Sequence, residues 1–324
     1  MELYLIRHGE TVDNVAGLYA GVRDSALTIH GVEQARRLGE HFATNGVKFT
    51  HIFASPLSRA FKTAQAIETA QLKPDEDDAT AAIEITQVPE LIEQDFGYYE
   101  GKPFHARSDP KKMIREAHHE QHKDEPGFVD VESKESMNKR ADVFLDGHLM
   151  PLLAHVSTPS KHIVAVVSHG MLLSHLWRRI LKRLPSKSVT VNPEITAARG
   201  SIVLEHLGGW GNTGYLELFL SQDNADEVVK DAKSSEAGIE KPLEESSTET
   251  GTTEQNPSSS TDLTGIDPST SSSQVLVGWS LLIRGIDRKD HLVGLKRQRG
   301  GIGRTAHDEK QQKIHNFFKR PRQF

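Results

Sequence analysis

The stretch HIVAVVSHG, His162 to Gly170, reads as a β-strand that stops at a histidine. Ile163 to Val167 are apolar without a polar alternation, as the centre of a parallel sheet covered on both faces requires. Two further runs have the same form. LYLI (Leu3 to Ile6) ends at Arg7-His8-Gly9, and HIFASP (His51 to Pro56) ends at Ser55. Helical patterns lie between the strands. In TIHGVEQARRLGEHF, Thr28 is a candidate N-cap, and Val32, Ala35, Leu38 and Phe42 share one face. SRAFKTAQAIETA places Ala60, Ala64 and Ile67 inward, Met137 to Leu153 is a third helix, and MLLSHLWRRIL follows His169. AAIEITQVPEL and YLELFL (Tyr215 to Leu220) are the remaining strand candidates. The alternation predicts an α/β chain, a three-layer α/β/α sandwich with a mostly parallel central sheet. Ligands of such sheets bind beyond the carboxyl ends of the strands.

Composition divides the chain in three. Residues 1–222 carry the strands and helices. Residues 223–277 hold 12 acids and 3 lysines, have no aromatic residue, and read as a disordered, Ser/Thr-rich acidic linker. Residues 278–324 reverse the sign, with 12 Lys and Arg against 4 acids, and read as a basic tail. VGWSLLIRGI (Val277 to Ile286) is an apolar island in that tail and a candidate docking strand. The chain has no cysteine, which excludes disulfides and thiol nucleophiles. The charged N-terminus predicts no secretory signal, and no apolar run is long enough for a membrane span.

The strand ends carry the chemistry. Parallel neighbours would bring Arg7, His8, Arg59 and His169 to one mouth, with Ser55 beside them. Guanidinium forks suit a tetrahedral oxyanion, and a neutral imidazole between them can attack phosphorus. LIRHGETVDN, SPLSRAFKTA, LIEQDFGYYEG and VVSHGMLL, in this order, resemble the histidine phosphatase superfamily, also called phosphoglycerate mutase-like, over residues 1 to 220. The resemblance implies that His8 becomes phosphorylated, that Glu93 is the general acid, and that His169 stabilises the transferring group. It implies a phosphate pocket of Arg7, Arg59, His169, Asn14 and Gly9, with no metal or cofactor. The expected activity is phosphomonoester hydrolysis of the histidine acid phosphatase type. The alternatives are a phosphoglycerate mutase-type phosphotransfer and a non-catalytic scaffold. The phosphatase branch is preferred because a proline-rich stretch of the cofactor-dependent mutases is missing.

Other residues have plainer readings. Thr11 and Ser55 fit caps or turns as well as ligand contacts, and Glu100 fits a structural role. His118 and His122 are one helical turn apart but lack the H-E-x-x-H pattern, so a solvated face is expected. Trp177, Trp210 and His30, His41, His51 and His175 read as packing or surface residues. Residues 103–134 read as a polar lid that sets substrate choice, where Lys102, Arg107, Lys111 and Lys112 could attract an anion, although a solvated charged surface is the default reading of these four.

Near the C-terminus, QQKIHNFF (Gln311 to Phe318) resembles a PCNA-interacting box. Gln311 would hydrogen-bond beside a groove that Ile314, Phe317 and Phe318 fill. The basic clusters GLKRQRGGIGR and KRPR fit nuclear import, so cytoplasmic and nuclear locations are expected, with no membrane or direct nucleic-acid partner. A peptide of residues 305–324 should capture a sliding clamp in a pull-down. The doubly substituted Phe317→Ala, Phe318→Ala peptide should not, and equal capture by both would refute the motif.

Overall fold

The computed structural model describes residues 1–71, 83–104, 123–154, 162–185, 187–222, 275–298 and 301–308. The linker interior, His118, His122, Arg107, Lys111, Lys112 and the box Gln311–Phe318 lie outside these residues. Among the described residues the strands are β1 (Glu2–Arg7), β2 (His51–Ala54), β3 (Ile85–Gln87), β4 (Ile163–Ser168), β5 (Val189–Val191), β6 (Tyr215–Gln222) and β7 (Trp279–Arg288). They form one sheet in the order β3-β2-β4-β1-β6-β7-β5. Only the pairings of β6 are antiparallel.

The alternation of β1 and β4 builds the three layers. Leu3, Leu5, Val164 and Val166 point into one core, and Tyr4, Ile6, Ala165 and Val167 into the other. The second core is closed by α2 (Ile29–Thr44) and α3 (Ser58–Gln71), after the short α1 (Val12–Ala16). Thr28 caps α2 by accepting from the Gly31 amide at 2.9 Å. The first core is closed by α4 (Lys134–Phe144), a π turn (Leu145–Leu149), α5 (Met150–Ala154) and α6 (Gly170–Arg183). The predicted helix from Met137 therefore starts a turn earlier, where the Ser133 hydroxyl accepts from the Ser136 amide. Buried Arg183 on α6 pairs with Asp142 and Asp146 across the π turn. A short α7 (Pro193–Arg199) follows β5.

Two expectations change. The third strand shrinks to Ile85–Gln87 because Pro89 opens a 3₁₀ turn directly after it. The boundary at residue 222 does not separate the tail from the sandwich. β7 lies between β6 and β5, and its Leu281 and Ile283 are fully buried. The apolar island is an internal strand, which its hydrophobicity permits and its basic surroundings conceal. Leu281→Ala should cost about 2–5 kcal/mol in chemical denaturation. Val277→Ala, at a position 79% exposed, should change stability by less than about 0.5 kcal/mol.

Candidate active site

Register assembles the site. Arg7 is opposite Ser168 in the β1–β4 pair, and Ala54 is opposite Val167 in the β2–β4 pair. His8, Ser55 and His169 therefore leave three adjacent strands at the same edge. The His8 and His169 ring centroids are 5.1 Å apart, and both residues are buried.

The two imidazoles hold opposite tautomers. His8 Nδ1 is 2.7 Å from the Gly9 carbonyl oxygen. A carbonyl only accepts, so Nδ1 carries the proton and Nε2 presents a lone pair. Burial, with the charges of Arg59 and Arg7 added, holds the ring well below the ordinary imidazole pKa. At His169, Arg59 Nε donates to Nδ1 at 3.2 Å. A guanidinium cannot accept, so Nε2 carries the proton and donates to Ser55 Oγ at 2.8 Å. Burial, then Arg59 and His8, lower its pKa as well.

The two arginines are not equivalent. Arg7 donates from one terminal nitrogen to the Trp210 carbonyl at 2.6 Å, while its Nε is buried without a partner. Such a donor is costly unless a ligand oxygen satisfies it. Arg59 is 1% exposed, and most of its N–H groups are already engaged. Besides His169, it donates to the carbonyls of Ala20, Gly21 and Arg23. The open fork expected for Arg59 is thus largely closed by protein. Glu100 holds the other side of the same loop, accepting from the amides of Gly21, Val22 and Arg23. Its structural role was the sequence expectation.

Glu93 stands at the head of α6. One carboxylate oxygen accepts from the Leu172 amide at 3.0 Å and from its neighbour Gln94 at 2.9 Å. The other accepts from the Met171 amide at 3.1 Å. It thereby caps the helix whose N-cap, His169, makes no side-chain cap of its own. Burial raises the carboxyl pKa, and these amides and Arg59 oppose the rise without reversing it.

Asn14 forms a reciprocal capping box with Thr11, and its Oδ1 also accepts from Asn212 at 3.0 Å. Its Nδ2 is left as the donor group. Gly9 has a packing reason to be glycine: a Cβ there would meet the Gly31 carbonyl oxygen at 2.6 Å. The close approach at Gly9 is to helix α2. Lys102 lies over the Tyr98 ring.

The turn from Trp210 to Gly214 carries no motif, and only Trp210 stands out in the sequence, as a packing residue. Asn212 and the Thr213 amide both donate to the His8 carbonyl, at 3.3 and 3.2 Å. The C-terminal segment supports this turn. Asp287 accepts from the Gly211 amide at 2.9 Å, and His291 Nε2 bonds the Thr213 hydroxyl at 2.9 Å. Further on, Arg297 forms a two-pronged ion pair with Glu10, the residue after His8-Gly9. Alone, burial would raise the Glu10 carboxyl pKa, but Arg297 and Thr28 bring it below the ordinary value. Among the described residues, no three His, Cys, Asp or Glu side chains stand together as a metal site.

Nitrogen-15 NMR across pH 5 to 8 should show the His8 ring neutral and protonated at Nδ1 throughout. Protonation near the ordinary imidazole value of 6.5 would contradict the geometry.

Residues 3–206 match the profile described as histidine phosphatase superfamily (branch 1). A probable phosphatase of Schizosaccharomyces pombe is 32% identical over 199 residues, 58% of this chain and 61% of the relative. The chain thus spans less than two thirds of that protein's length. A probable phosphoglycerate mutase of Erwinia tasmaniensis is 32% identical over 187 residues, 56% of this chain and 75% of its own. A solved mycobacterial glucosyl-3-phosphoglycerate phosphatase is 20% identical, with a TM-score of 0.46 over 68% of this chain and 91% of that one. With its four motifs gathered at one sheet edge inside the matched region, this chain belongs to the histidine phosphatase superfamily.

Proposed function

We propose that the protein is a phosphomonoester hydrolase working through a phosphohistidine on His8. One observation carries the reading: Nδ1 of His8 is tied to the Gly9 carbonyl, so the neutral ring offers Nε2 as a nucleophile at the strand-end mouth. Arg7 holds the phosphoryl oxygens through its buried unpaired Nε, with Asn14 Nδ2 as a second donor. Arg59 supplies charge behind His169 more than a direct fork. The Nε2–H of His169 and the Ser55 hydroxyl attend the transferring group as it reaches His8.

In the first step, Nε2 of His8 forms the N–P bond as the P–O bond of the ester breaks. Protonated Glu93 gives its proton to the departing oxygen, and the raised carboxyl pKa suits this task. In the second step, water forms a new O–P bond and the N–P bond breaks. The water proton returns to Glu93, and inorganic phosphate leaves. No step requires a metal. In the mutase alternative, a second substrate hydroxyl replaces water. Hydrolysis is preferred on the motif EQDFGYYEG and on the fission-yeast relative's description as a probable phosphatase. The substrate class proposed is a phosphorylated small molecule. For the tail, we keep the clamp-binding reading as a separate proposal carried by the 311–318 motif, together with a nuclear location.

Phosphate release from a phosphomonoester panel in chelator should be abolished in His8→Ala, and quenching in alkaline detergent, where an N–P bond survives, should trap label on wild-type protein alone. Label transfer to an added hydroxyl substrate in place of phosphate release would favour the mutase. Activity should fall as pH rises through the Glu93 pKa, because the acid form is lost. Glu93→Gln should lose that limb together with about 10²–10⁴-fold in rate, and an unchanged profile would remove Glu93 from the mechanism.

A further inference from the structure

Arg140, on α4, belongs to none of the four motifs, yet its guanidinium is committed to the backbone around Glu93. One terminal nitrogen donates to the carbonyls of Glu90 and Ile92 at 2.8 and 2.9 Å. The other lies 3.4 Å from the Glu93 carbonyl. The remaining donors make a two-pronged pair with Glu132, from Nε at 2.9 Å and from the second terminal nitrogen at 2.7 Å. That nitrogen also touches Met137 Sδ.

Glu132 ties the next residues. Its carboxylate accepts from the Asp95 amide at 3.3 Å and from the Ser136 hydroxyl at 2.7 Å. Its backbone amide donates to the Asp95 carbonyl, and its carbonyl accepts from the Gln94 side chain, both at 2.8 Å. On the other side, Ser168 Oγ donates to the Leu91 carbonyl at 2.7 Å, joining the segment to the end of β4. The stretch from Glu90 to Asp95 is therefore gripped between the strand that delivers His169 and the helix that carries Arg140.

We infer that Arg140 is a positioning residue for the general acid: with Glu132, it fixes the Glu90–Asp95 backbone so that the Glu93 carboxyl reaches the leaving oxygen from the head of α6. The inference rests on the reading of Glu93 given above. Arginine is needed because three carbonyls and a carboxylate lie around one planar group. A lysine ammonium has too few donors and no fixed fork. A displacement of about 1 Å at a reacting group can cost about 100-fold in rate.

The test uses the dependence on the leaving group. p-Nitrophenolate departs without a proton, whereas the alkoxide of glycerol 2-phosphate needs one. Full-length Arg140→Lys and Glu132→Gln should lose about 10- to 100-fold on glycerol 2-phosphate in kcat/KM, which reports the leaving-group step and not the later hydrolysis of phosphohistidine. On p-nitrophenyl phosphate their kcat/KM should stay within about twofold of wild type, as the acid contributes little to departure of that group. Glu93→Gln should show the same asymmetry, more strongly. If both substrates slow together, or neither slows, Arg140 merely supports the fold and the inference is overturned. If Arg140→Lys does not fold, Glu132→Gln, which keeps the guanidinium, decides alone. If Glu93→Gln itself shows no asymmetry, the general-acid reading fails, and this inference with it. That outcome is distinct from asymmetry in Glu93→Gln without asymmetry at Arg140.

Discussion

Parallel pairing of β1 with β4, with Arg7 opposite Ser168, is the constraint on which the rest depends. It delivers His8 and His169 side by side at the sheet's carboxyl edge, and β2 adds Ser55 in the same register. A slip of one residue would turn each apolar face outward, since Leu3 and Leu5 alternate with Tyr4 and Ile6 between two separate cores. The hydrophobic effect that builds the sandwich therefore also fixes the spacing of the reactive groups.

Electrostatics at that edge follow from burial. Two imidazoles and two guanidiniums share a region largely closed to water, where a charged histidine beside arginines is disfavoured. Both rings stay neutral, and each tautomer is set by a partner that cannot change its role, a carbonyl for His8 and a guanidinium for His169. Glu93 is held in a different balance. Helix amides favour its charge, burial opposes it, and burial prevails. Arg59 and Glu100 meanwhile act from two sides on one loop, the first taking its carbonyls and the second its amides.

The C-terminal segment joins this arrangement from far along the chain. β7 completes the sheet, and Asp287 and His291 brace the turn that contacts the His8 carbonyl. Thr305 and His307 bond to the backbone at Ile29 and Leu27, beside the ion pair of Arg297 with Glu10. A segment that composition marks as a basic tail thus contributes to the support of the first motif. The family profile ends at residue 206, before the Trp210 turn and before β7.

The sequence by itself determined the strands β1, β2, β4 and β6, the main helices and the family, and it singled out Arg7, His8, Arg59, Glu93 and His169. Apolar periodicity is local, and the motifs place unusual polar residues at strand ends, where a bland explanation is hard to sustain. Only the tertiary structure decided what each group touches. Arg59 could not be read as closed off, because the carbonyls of Ala20, Gly21 and Arg23 that occupy it are more than thirty residues away. Asn212, Glu132 and Arg140 were illegible for the same reason: a hydrogen bond to a distant backbone carbonyl leaves no periodicity and no motif. The boundary at 222 misled because net charge is a property of surface side chains, while membership of the sheet was settled by buried Leu281 and Ile283.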